Sequence, residues 1–190
     1  MQRHLLLLAA LLLAPVATLQ AVETATKPNI VFLLADDLRP DCLGALGHPI
    51  VKTPQIDKLL EHGFIFRNAY VLGSNSGAVC MPSRTMIQSG QSYLRPTRAT
   101  ATLAQTIKAA GYACIRGGKF GNNPNKLDQD FDRHVDGKTA EGNANNIIAF
   151  IKEQAGKKPL FLYFAPHEPH DPQFATEAFY RMYNNRPPRG

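Results

Sequence analysis

Cysteine is scarce in this chain: three among 190 residues, at positions 42, 80 and 114. None belongs to a CxxC pair, so a zinc site built from thiolates is not expected. An odd number leaves at least one thiol unpaired in an oxidising compartment, and a Cys42–Cys114 bridge stays open. Blocks of like charge are also missing, although the formal net charge is +6. Charge spread this way suits a surface that tolerates anionic substrates, and is poor ground for nucleic-acid binding. No RNA- or DNA-binding motif occurs. Nor do internal repeats or low-complexity linkers. The longest apolar run, Leu5 to Ala14, falls short of the roughly 20 residues of a stable membrane span.

That run belongs to a recognisable leader. Arg3 supplies a short positive region, Pro15 breaks the apolar stretch, and small residues lead to a cleavage point after Ala21. Residues 1–21 are therefore expected to be a signal peptide, and the mature chain to be secreted or periplasmic. The stretch from residue 27 to 190 is long enough for one domain with a real core.

Elements alternate along that domain. "KPNIVFLLADD" is a continuous apolar run ending in two acids, as in a strand buried on both faces. "TPQIDKLLEHG" predicts a helix with Thr53 at its N-cap, Pro54 at its first position and Gly63 past its end. "FIFRNAYV" alternates like a strand. Pro82 can open a helix after Cys80 that Gly90 stops. "TLAQTIKAAG" predicts a helix capped by Thr102 and ended by Gly111, followed by a strand at "YACIRGG". Thr139 caps "AEGNANNIIAFIKEQAG", and "PLFLYFA" is a second fully apolar strand. The alternation implies an α/β domain with a largely parallel sheet, whose ligand sites lie beyond the carboxyl ends of the strands. Asp36, Asp37, Lys119, His167 and His170 all come just after predicted strands.

Each of these residues has two readings. Adjacent carboxylates such as Asp36 and Asp37 repel unless a cation offsets them, and hard oxygens suit calcium or magnesium; one acid can instead cap a turn while the other is solvated. Cys80 at a helix start has the dipole, and Arg84, to favour a thiolate nucleophile, whereas a lone cysteine is commonly buried and inert. Lys119 sits between glycines that let a ligand approach, where it could hold an oxyanion or simply be solvated. His167 and His170, in a proline-stiffened loop, could be acids, bases, metal ligands or surface residues.

Taken together, the motifs resemble the sulfatase family. "CMPSR" is similar to its Cys-x-Pro-Ser-Arg signature. "KPNIVFLLADDLRPDCLGALG", "VKTPQIDKLLEHGFIFRNAYV", "AAGYACIRGGKFG" and "FLYFAPHEPHDP" resemble further family stretches, in the family's order, from about residue 27 to 172. The "DDLRP" stretch is similar to the branch that includes iduronate sulfatases.

The resemblance implies an α/β, alkaline-phosphatase-like sandwich with a largely parallel central sheet, and sulfuric ester hydrolysis. It implies that a formylglycine maturase oxidises Cys80 to Cα-formylglycine, and that Asp36, Asp37 and the modified Cys80 hold Ca2+, with Mg2+ the alternative. Arg84 would steady the aldehyde hydrate. Lys119 would contact the sulfate. His170 would contact the substrate and serve as acid, with His167 the second candidate. The implied partner is a sulfated small molecule or glycan. The family usually places a histidine shortly after the lysine; Gly121 and Asn122 stand there, and His134 is a spatial substitute to test. Family members are generally more than twice this long, so residues 27–190 read as an incomplete N-terminal part of the catalytic domain. The competing expectation is a non-catalytic or truncated secreted domain that at most binds sulfated glycans.

Overall fold

A computed structural model describes residues 27–70, 75, 79–92, 101–119, 130–135, 139–170 and 177–183. The leader at 1–21 and the Gly121–Asn122 pair lie outside the described residues. Among the described residues four strands form one sheet: β1 (Ile30–Leu33), β2 (Ala113–Gly118), β3 (Arg133–Val135) and β4 (Leu160–Ala165). Their order is β1-β4-β2-β3 and every pairing is parallel. Helices α1 (Pro54–His62), α2 (Cys80–Ser89), α3 (Leu103–Ala109), α4 (Ala140–Gln154) and α5 (Glu177–Tyr183) accompany them among the described residues. Two short 3-10 turns, Pro40–Cys42 and Gly44–Leu46, lie between β1 and α1.

The two central strands are buried on both faces because both faces are covered. On one face Phe131, Phe161 and Tyr163 pack with Ala104 of α3 and Cys114, joined by Phe32 from β1 and Ile87 from α2. Phe32 and Tyr163 stack with ring centroids 5.2 Å apart. On the other face Ile147 and Phe150 of α4 cover Ile115, Leu160 and Leu162.

The expectation that β1 is buried on both faces is corrected. Val31 and Leu33 are each 57% exposed, while Ile30 and Phe32 are half-buried. Val31 is in register with Leu162 and Leu33 with Phe164, so both lie on the face that α4 covers. A helix about 10 Å wide spans about two strands at a spacing of ~4.8 Å. Here α4 covers β2 and its neighbours and does not reach the edge strand β1.

The strand expected at "FIFRNAYV" is also corrected. Residues 64–70 pair with no strand among the described residues and turn at Arg67 and Asn68, while Val71 lies outside the described residues. Phe64 and Phe66 meet each other edge to face at 4.9 Å and are largely exposed. Alternation describes a half-buried surface, and without a neighbouring ladder the backbone has no reason to extend. Sequence reading also passed over β3, only three residues long, and α5.

Helix ends obey their local chemistry. Thr102 accepts from the Gln105 amide while the Gln105 side chain accepts from the Thr102 amide, a reciprocal capping box. The Thr139 hydroxyl accepts from the Gly142 amide. Gly90 closes α2 in the left-handed region at φ 66°. Thr53 precedes α1 as expected but makes no capping bond; its hydroxyl donates to Asp57 at 2.7 Å and accepts from the Gly44 amide. All three cysteines are free, so the Cys42–Cys114 bridge is not formed. Cys114 is fully buried in β2, and burial pushes its thiol up to about 11. No helix among the described residues is long and apolar enough to cross a membrane.

Candidate functional site

Parallel pairing places three strand ends side by side. Past β1, the Leu34 amide donates to the Phe164 carbonyl at 2.9 Å, and the Asp36 amide to the Glu168 carbonyl at 3.3 Å. Past β2, the Lys119 amide donates to the Ala165 carbonyl at 2.7 Å. Past β4, residues 167–170 form a turn closed by the His170 amide on the His167 carbonyl at 3.0 Å. The Glu168 carboxylate anchors this turn by accepting from the Ala140 amide at the N-terminus of α4, where a negative charge is favoured. Helix α2 reaches the same place from the face of the sheet that carries Tyr163. Ile87 packs on the core there, which leaves the first turn, with Cys80, over the strand ends.

Asp36 is the hub of the site and only 5% exposed. The Lys119 ammonium donates to its Oδ2 at 2.5 Å, and Arg84 Nη2 lies 3.6 Å from the same oxygen. The Cys80 thiol donates to Oδ1 at 3.3 Å. Lys119 Nζ is also 3.7 Å from Cys80 Sγ. Burial pushes the Asp36 carboxyl up, but the bonds from Lys119 and Cys80 and the charges of Arg84 and Lys119 outweigh it and hold it below its ordinary value. His170 completes the group: one ligand atom each from Asp36, Cys80 and His170 lies within 4.8 Å of the others.

The structure thus brings together Asp36, Cys80, Arg84, Lys119 and His170. It does not bring in the remaining candidates. Asp37 is exposed, with φ 61°, and is not part of the Asp36–Cys80–His170 cluster. His167 is exposed. His134 lies exposed on β3, the edge opposite β1, against Phe131 at 6.1 Å, and is likewise outside the cluster.

Chemically, the site combines a carboxylate, a thiol and an imidazole that could share a metal ion with two cations able to meet an anion. The three donors supply one hard oxygen-bearing side chain, whereas calcium takes six to eight oxygens. Sequence reading missed Arg116, a cation 2% exposed within β2 whose Nη2 donates to the Lys119 carbonyl. The available signal was a lone basic residue inside the otherwise apolar "YACIRGG".

The family model described as Sulfatase matches residues 28–190. An ulvan-active sulfatase from Formosa agariphila is 30% identical over 166 residues, covering 80% of this chain and 32% of the relative. Human iduronate 2-sulfatase is 34% identical over 112 residues, covering 53% of this chain and 20% of the relative. The chain therefore spans about a third or less of the length of these relatives. Among solved structures, a protein in complex with its substrate D-glucosamine-2-N,6-O-disulfate superposes with a TM-score of 0.69 at 20% identity, covering 85% of this chain and 38% of that one. A protein of the alkaline phosphatase superfamily from Vibrio parahaemolyticus superposes at 0.59 with 23% identity, covering 80% and 43%. The fold is thus that of the alkaline phosphatase superfamily, and with its family match running from the first strand through the strand-end cluster, the chain belongs to the sulfatase family.

Proposed function

We propose that this chain is part of an exported sulfuric ester hydrolase that releases inorganic sulfate from a sulfated carbohydrate through a formylglycine derived from Cys80. The observation that carries the reading is the convergence of Lys119 and Arg84 on Asp36 and Cys80 at the strand ends. A sulfate monoester is anionic and its sulfur is shielded by oxygens. Fixed cations in a partly dry site neutralise those oxygens and the charge that grows in the transition state. Lys119, with a 13% exposed side chain, meets that need, and buried Arg84 adds charge one turn into α2. One ring nitrogen of His170 lies within 4.8 Å of Cys80 Sγ, and His170 would pass a proton to the departing alcohol directly or through one water.

The formylglycine hydrate would offer two hydroxyls on one carbon, one to attack sulfur and one to release sulfate. Asp36 and the oxidised Cys80 would hold calcium, or alternatively magnesium; Asp37, outside the cluster, would have to move to join them. Such an ion would add positive charge beside the sulfate oxygens. The position of Asp37 outside the cluster favours a second reading: the chain as it stands binds sulfated glycans without turning them over. A structural neighbour complexed with a sulfated glucosamine and an ulvan-active sulfatase among the relatives support sulfated sugars as the proposed substrate class.

The deciding experiment is the mass of the peptide from Asn68 to Arg84 in protein exported by a host that has a formylglycine maturase. The expected result is an aldehyde or its hydrate in place of the thiol, and hydrolysis of an aryl sulfate that disappears in Cys80→Ala. A thiol throughout, with glycan binding retained in Cys80→Ala, would favour the binding reading. Turnover retained in Cys80→Ala would sink the formylglycine mechanism.

A further inference from the structure

We propose that Arg116 is a positioning residue for Lys119, acting through the backbone of the turn that carries it. This inference rests on Lys119 being an anion-contacting group of the candidate site.

A charged side chain inside a central parallel strand is costly to desolvate. Arg116 is 2% exposed, comes after the fully buried Ile115, and occupies a strand whose six residues are all buried. Its contacts show what that charge does. Nη2 donates to the carbonyl of Lys119. The guanidinium carbon lies 5.9 Å from the ring centroid of Tyr163, its register partner on β4, so the aromatic face helps to accommodate the cation. The Lys119 amide donates to the Ala165 carbonyl at 2.7 Å. The lysine is therefore held on both sides, its N–H by β4 and its carbonyl by Arg116. This happens where the chain leaves β2 through Gly118 in the left-handed region, at φ 92°. With that backbone pinned, the Lys119 side chain runs to Asp36 at 2.5 Å and Cys80 at 3.7 Å. An apolar residue of similar length would fill the same space and leave the Lys119 carbonyl without this donor.

The test is a brief pulse of an amine-acylating reagent on the folded full chain, read residue by residue by mass spectrometry. In Arg116→Met, labelling of Lys119 should rise about tenfold or more, the factor one hydrogen bond from a charged donor carries. Lys27 and Lys108 should label as in the wild type. Arg116→Lys, which keeps a charge and a donor but loses the fork, should fall between the two. Unchanged Lys119 labelling in folded Arg116→Met overturns the proposal. An equal rise at Lys108 also overturns it, because it assigns Arg116 a general role in stability. Where the Met variant does not fold, Arg116→Lys decides: raised labelling at Lys119 supports positioning, and wild-type labelling refutes it. Inorganic sulfate titrated onto Lys119→Met separates the underlying reading. Unaltered affinity there would remove Lys119 from the anion site and leave the labelling result standing.

Discussion

Asp36 carries three interactions at once, so its removal should be felt by all of them. Asp36→Ala leaves the Lys119 and Arg84 cations facing each other without their shared carboxylate. Breaking a buried pair in this way should cost about 3 kcal/mol of stability, measured by urea denaturation. A loss near zero would mean that the two cations find other partners. The same carboxyl sets an acid limb. Its folded value lies below the ordinary 3.8, so its contribution is fully present above that pH and is lost as pH falls through the folded value. Asp36→Asn should flatten the decline in stability below about pH 4 relative to wild type, as tracked by thermal melts across pH.

Elements depend on a few positions with backbone requirements. Gly118 turns the chain out of β2 with positive φ, and a Cβ there would overlap the Ala165 carbonyl. Gly90 also has positive φ, yet a Cβ there meets nothing within 4 Å. Gly90→Ala should therefore cost only the backbone strain, about 1 kcal/mol. Gly118→Ala adds a collision with β4 and should cost more than ~2 kcal/mol, with Lys119 displaced. Equal losses would show that the overlap relaxes freely. Thr102→Ala removes the capping box of α3 and the bond to Asp130 at 2.8 Å, and should cost about 1–2 kcal/mol in the same assay. These caps were legible because they are local: Thr102, Thr139 and Gly90 act on backbone groups within four residues. The strand read at 64–71 failed because a strand needs a partner, and nothing local shows whether one is present.

For the molecule as a whole, β1 presents Val31 and Leu33 on an open face at the edge of the sheet. An exposed apolar edge invites pairing with another chain. The 190-residue chain is expected to self-associate at micromolar concentration. Leu33→Lys should reduce the association without loss of fold, as read by light scattering and circular dichroism. Undiminished association in that variant would place the sticky surface elsewhere, for instance at Phe64 and Phe66.

The order of apolar runs, caps and turn glycines by itself determined the α/β class, the parallel sheet and the bounds of three helices, because these depend on periodicity and local hydrogen bonding. The short motifs also named Asp36, Cys80, Arg84, Lys119 and His170. Only the tertiary structure decided that these five meet while Asp37, His167 and His134 do not. Adjacency in sequence left Asp37 beside Asp36, but the left-handed turn at Asp37 sets it outside the cluster. Arg116 was hidden for the same reason. The ring it lies over, Tyr163, is on β4, and that contact exists only once parallel pairing has laid the strands together.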